Sequence, residues 1–218
     1  MKDSQIHEVI EKLTIAAHEW NVPIVTEMTR RTRNPFKVLI TTVLSLRTKD
    51  ETTSEASDRL YGVAEAPREM LKLSSRRIAE LIYPVGFYRT KAESILKICR
   101  ILLDRHDGAV PDDLDLLLEL PGVGRKTANL VVTLGYGKPG ICVDTHVHRI
   151  SNRLGYVDTK TPDKTEFALR DKLPRQYWII YNDLLVTFGQ NLCKPVSPFC
   201  SRCPVGHLCP RLGVRHSR

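Results

Sequence analysis

No apolar run in these 218 residues approaches membrane-spanning length, and charged side chains are scattered through the N-terminal segment. Neither a spanning helix nor a secretion signal is therefore expected. Sustained alternation of apolar and polar positions with β-branched enrichment is missing too, which argues against strands. There is no internal repeat and no low-complexity tract, so neither a solenoid nor a disordered chain is expected. What is present is a globular composition, 42% hydrophobic and 27% charged. The length allows one large domain or two small ones sharing a cleft. A protein acting inside the cell is expected, in the cytoplasm or beside the nucleoid.

Lys and Arg number 33 against 25 Asp and Glu, a balance of +8. A pI near 9.3 makes DNA or RNA the expected partner, although a merely solvated basic surface gives the same count. Of the six cysteines, Cys193, Cys200, Cys203 and Cys209 crowd one short stretch, while Cys99 and Cys142 stand apart. Without a secretion signal, a tight cysteine group reads as a metal site rather than a set of bridges. Cys99 and Cys142 fall in apolar surroundings and are expected to be buried thiols. His146 and His148 match no zinc-ligand spacing.

The helical period dominates. Ile6, Val9, Ile10, Leu13, Ala17 and Trp20 recur at threes and fours, as one face of a first helix requires. Asn34-Pro35 is a start signal, with Asn as N-cap and Pro in the first turn, ahead of Val38, Leu39, Thr42, Val43 and Leu46. Ser74 or Ser75 opens a helix that Pro84 and Gly86 stop. Further helices are expected over 91–106, 112–120, 124–135, 144–154, 162–173 and 175–188. The chain is predicted to be all-α with short connections. Only 194–218, rich in Pro, Cys and Arg, lacks periodicity, so something other than a core must order it.

The most informative stretch is Leu120-Pro121-Gly122-Val123-Gly124-Arg125-Lys126-Thr127-Ala128. A short helix ends, two glycines turn the chain, and a second helix begins. Glycines let backbone N–H groups approach a phosphate closely, and the helix N-terminus adds its positive dipole end. Such a hairpin can hold a DNA backbone without reading sequence. It is not a P-loop, because Arg125 intrudes, nor a Rossmann turn, because helix rather than strand precedes it. An ordinary αα-turn is the plainer alternative.

Leu120 to Ala128 resembles the helix–hairpin–helix of the endonuclease III family. Val143-Asp144-Thr145-His146 resembles that family's acidic motif, and Cys193-x6-Cys200-x2-Cys203-x5-Cys209 its [4Fe–4S] loop. With Leu44-Ser45 and Gly86-Phe87-Tyr88 the resemblance runs over nearly the whole chain. It implies two all-α domains flanking a cleft. Residues 27–138 would form a helical barrel with the hairpin, and residues 1–26 with 139–218 the iron–sulfur cluster domain. It further implies a bifunctional DNA glycosylase and AP lyase of base excision repair, and a monomer is the default expectation. The substrate would be double-stranded DNA carrying an oxidised pyrimidine or an abasic site. The alternatives are a monofunctional mismatch or adenine glycosylase of the same superfamily, and a non-enzymatic DNA-binding module.

The resemblance makes Lys126 the nucleophile, where the bland alternative is a lysine on a phosphate. An amine can attack C1′, expel the base and leave a Schiff base whose C2′ proton is acidic, so β-elimination cuts the strand. About one free lysine in 2500 is neutral at pH 7, a deficit of about 4.6 kcal/mol. Desolvation by DNA or a base must supply what is missing. Asp144 is the implied carboxylate across the cleft, weighted towards stabilising positive charge on the sugar; it also suits the N-cap of the helix after it. The four cysteines would hold the cluster, with zinc as the alternative, although zinc more often takes two separated Cys-x2-Cys pairs. DNA contacts are expected from Gly122, Gly124, Arg125 and Thr127, and from Lys194 beside the cluster. Arg47 stands where bacterial relatives carry Gln, and Phe87 where they carry an aliphatic wedge. Both are candidates to fill the gap left by an extruded nucleotide; phosphate binding for Arg47 and core packing for Phe87 are the alternatives.

Overall fold

The computed structural model describes residues 1–20 and 34–218, and the expected domain boundary at 26/27 lies outside them. Among the described residues every regular element is helical, which is the expected all-α class. One compact unit joins the N-terminal segment to Pro139–Arg218; the other ends at Lys138.

In the unit ending at Lys138, α2 (Pro35–Ser45) is the core helix. Asn34 caps it as expected, its side chain accepting from the Phe36 and Lys37 N–H groups. Phe36 and every residue from Val38 to Leu44 are buried, so α2 is covered all round. Each fully buried Leu or Ile here contributes about 1.5–3 kcal/mol. Around it lie α3 (Asp50–Tyr61), α4 (Pro67–Met70), α5 (Ser75–Ile82), α6 (Tyr88–His106), α7 (Leu114–Leu118) and α8 (Arg125–Leu130). A π-helical turn, Val131–Gly135, continues α8. The most extensive pairing is α5 on α6.

Two of these helices were not legible in the sequence. α3 turns Thr53, Ala56, Ser57, Leu60 and Tyr61 inwards, so small polar residues stand where a hydropathy pattern needs large apolar ones. α4 is a single turn behind Pro67. α6 starts at Tyr88, one turn before the expected Lys91. The helix C-termini show a common device. Arg59 on α3 donates to the Leu81 and Tyr83 carbonyls at the end of α5, at 2.8 and 2.5 Å. Such cations satisfy carbonyls left without helical partners and oppose the negative dipole end.

The other unit packs α1 (Ile6–Ala17), α9 (Thr145–Arg153), α10 (Pro162–Lys172) and α11 (Trp178–Asn191). Its core holds Ile6, Leu13, Ile150, Tyr156, Tyr181 and Phe188. Trp20, expected on the first helix, lies beyond its end and stacks on Phe188, ring centroids 6.0 Å apart. After α11 the chain makes only a 3-10 turn, Cys200–Arg202, consistent with its lack of periodicity.

Candidate active site and DNA interface

The hairpin is built as its glycines suggest. Asp113 caps α7, the chain turns at Gly122 with φ +78, and Val123 N–H donates to the Leu120 carbonyl. Gly124 is the N-cap of α8 and offers no side chain to its first N–H groups. Gly122 and Gly124 are exposed, while Arg125 and Lys126 are half-buried in the first turn of α8. Thr127 is 1% exposed, so its side chain serves the core rather than the hairpin surface. A Cβ at Gly122 would lie 3.8 Å from Ser94 Oγ, which puts the hairpin against α6.

A second feature lies where the turn after α2 meets Phe87, the N-cap of α6. Arg47 and Phe87 are both exposed, Phe87 by 62%, so Phe87 is not a core residue. Their φ values are +55 and +58, left-handed for both. Such backbone costs about 1–3 kcal/mol each and persists where the surroundings over-determine it, often at functional sites. The Arg47 guanidinium carbon sits 5.5 Å from the Phe87 ring centroid. The structure thus brings together two residues that the sequence placed in separate loops. Lys91, 7% exposed, lies behind them. Burial pushes its ammonium down to about 8.

In the other unit, Asp144 is the N-cap of α9. Its Oδ1 accepts from His146 N–H at 2.8 Å and Val147 N–H at 2.9 Å. Both bonds go to one oxygen, and Oδ2 takes no hydrogen bond among the described residues. Arg149, one turn on, donates to His146 Nδ1 and to the Cys193 carbonyl, at 3.1 and 2.9 Å. Its guanidinium is lowered, first by burial and then by Arg153, with Cys193 and Asp144 opposing the shift. His148 bonds Thr165.

Cys193, Cys200, Cys203 and Cys209 line one cavity of about 30 Å³, walled by Ile150, Leu154, Phe188 and Val205. All six cysteines are free thiols, and Cys99 and Cys142 are buried as expected. Cys203 is pushed up to about 11, chiefly by burial and further by the thiols of Cys193, Cys209 and Cys200. Cys209 is raised by burial first, then by Cys193 and Cys200. Four thiols so placed ionise together only around added positive charge, so the donor set fits a metal group. Donors to sulfur are in place as well: Arg153 Nη1 lies 3.5 Å from Cys193 Sγ, and Arg211 N–H 3.4 Å from Cys209 Sγ. Among the described residues no three His, Cys, Asp or Glu gather closely enough to hold one ion. Beside the cavity, Lys194, Arg202 and Arg218 surround the Phe199 ring at 5.6, 4.8 and 4.0 Å.

Residues 40–175 match the family of HhH-GPD superfamily base excision DNA repair proteins. Endonuclease III of Thermotoga maritima is 51% identical over 176 residues, 81% of this chain and 83% of that one. The chain belongs to this family. Endonuclease III homolog 1, chloroplastic, of Arabidopsis thaliana is 46% identical over 82% of this chain, which spans about half of that longer protein. Among solved structures, a trapped endonuclease III–DNA covalent intermediate matches with a TM-score of 0.87 at 35% identity, covering 97% of each chain. Two buried cations that hold turns in place were not singled out from the sequence. Lys91 was missed although it continues the apolar stripe Ile95, Ile98, Leu102 at helical spacing. Arg153, which donates to the Lys194 and Pro195 carbonyls at 2.7 and 2.6 Å, gave no signal beyond its place near Ile150.

Proposed function

We propose that this protein is a bifunctional DNA glycosylase and AP lyase that excises oxidised pyrimidines and cuts the abasic strand through a Lys126 Schiff base. The carrying observation is Lys126 in the first turn of α8, directly behind the Gly122–Gly124 turn. The relatedness to endonuclease III and to its trapped DNA intermediate supports the same reading. Gly122, Gly124 and Arg125 hold the phosphate backbone and bring the extruded nucleotide to the amine. Lys126 Nζ bonds to C1′ as the damaged base leaves with the glycosidic electron pair. The C1′–O4′ bond then breaks as the nitrogen lone pair forms the imine, O4′ taking the proton the amine gives up. The imine acidifies C2′, and loss of the C2′ proton breaks the C3′–O bond and frees the downstream phosphate. Asp144 keeps α9 capped with Oδ1 and offers Oδ2 to the positive charge that grows on the sugar. Desolvation by bound DNA supplies the activation of the amine.

The four cysteines would hold a [4Fe–4S] cluster, whose contribution is to order residues 194–218. Thiols spread around a cavity suit a polynuclear group better than zinc, whose bonds of about 2.3 Å draw four sulfurs onto one point. Lys194, with Arg202 and Arg218, then faces phosphate from the cluster loop. Residues 27–138 would act as the barrel domain and 1–26 with 139–218 as the cluster domain.

Borohydride trapping on abasic-site DNA tests the reading. Wild-type protein should be captured covalently, and Lys126→Ala should bind the same DNA without capture. Base release without capture by the wild type would make it a monofunctional glycosylase. Binding with neither would make it a DNA-binding module.

A further inference from the structure

Lys91 is a buried amine that the reaction does not use, and its partners all lie at the end of α2 and in the turn after it that carries Arg47. Nζ donates to the Leu44 carbonyl at 2.8 Å, the Leu46 carbonyl at 2.6 Å and Thr48 Oγ1 at 3.3 Å. Leu44 and Leu46 stand at the C-terminus of α2, where carbonyls lack helical donors. Lys91 itself sits in the first turn of α6, whose N-cap is Phe87. One ammonium therefore ties the end of α2 to the beginning of α6.

Two further contacts close the same junction. Thr48 Oγ1 also accepts from Gly86 N–H at 3.2 Å. A Cβ at Gly86 would lie 2.6 Å from the Arg47 carbonyl oxygen, so the two backbones approach as only glycine allows. An apolar side chain could fill the Lys91 position without burying a charge. A buried cation instead fixes geometry, because its three donors are satisfied in one arrangement of the turns.

We propose that Lys91 is a positioning residue that clamps the two turns, so that Arg47 and Phe87 enter the duplex as one unit when a nucleotide is extruded. This rests on reading Arg47 and Phe87 as the pair that fills the gap. Lys91 acts through them and touches no DNA. A residue needed only for folding would weaken every activity alike, whereas a clamp for gap-filling groups matters where there is a stack to open.

The experiment measures excision of one oxidised pyrimidine from a duplex and from the same strand unpaired, together with melting temperature. The variants are Lys91→Met, Thr48→Val as the milder removal of the shared hydroxyl, and the double variant Arg47→Ala/Phe87→Ala. Misplacing reacting or positioning groups by about 1 Å costs up to about 100-fold. Lys91→Met is accordingly expected to slow duplex excision by about 10-fold or more and single-strand excision by no more than about 2-fold. Thr48→Val should shift the ratio in the same direction by less. Adding Lys91→Met to the double variant should cause no further duplex-specific loss, because coupled residues are not additive. Equal losses on both substrates, an unchanged ratio, or full additivity would overturn the role of Lys91. The double variant tests the underlying reading separately. A wild-type ratio there removes the gap-filling pair, and the clamp with it. A shifted ratio there with unshifted ratios in the Lys91 and Thr48 variants removes the clamp alone.

Discussion

In the proposed mechanism Asp144 divides its two oxygens between structure and chemistry. Oδ1 takes both helix N–H groups, so the rotamer is fixed and Oδ2 is held in one direction. Asn caps nearly as well as Asp. Asp144→Asn is therefore expected to keep its melting temperature while base excision falls by about 100-fold or more, the scale of a lost charge-stabilising group. Kinetics on a damaged duplex beside a thermal melt would check it, and wild-type excision would reduce Asp144 to a cap. Alanine at this position removes both functions and should also cost about 0.5–2 kcal/mol of stability.

Between elements, the decisive contacts are at helix ends. The ends of α2 and α5 are each closed by a cation from another helix, Lys91 and Arg59. The turn after α5 depends on a missing side chain, since a Cβ at Gly86 would meet backbone oxygen that cannot move aside cheaply. Gly86→Ala is expected to lower the melting temperature and to push the Arg47 and Phe87 turns apart. Its excision on duplex DNA should fall further than on unpaired DNA. A variant with wild-type stability and wild-type ratio would show that the close approach is dispensable. The missed helix α3 belongs to this scale as well. Its inward face is Thr53, Ala56 and Ser57 followed by Leu60 and Tyr61, and its place is set by what packs on it rather than by its own hydropathy.

For the whole molecule, the aperiodic end and the positive charge are the two properties to explain. Residues 194–218 are held by Arg153, by backbone bonds such as Leu212 N–H to the Arg153 carbonyl, and by whatever fills the cysteine cavity. Purified protein is expected to be brown and to carry about four irons per chain, as a cubic cluster requires. Stoichiometric zinc in colourless protein would refute the assignment. Cys200→Ala should make residues 194–218 protease-sensitive and weaken DNA binding, while the hairpin unit keeps its own core. Limited proteolysis with mass analysis would locate the change.

Local chemistry determined what the sequence could say by itself. Asn34-Pro35 and Ser74 announce helices because capping acts within a single turn. The Gly122–Gly124 hairpin, Lys126 behind it and the cysteine spacing are likewise carried by neighbours along the chain, and they sufficed for the fold class and the family. The destinations of long side chains were decided only in the tertiary structure. Lys91 looks like one more surface lysine until it is seen to reach a carbonyl 47 residues away. Arg47 and Phe87 read as two independent candidates until their left-handed turns are brought side by side. Helical periodicity says which face is buried, but not which charged residue on that face finds partners, because those partners come from distant segments and exist only once the helices have packed.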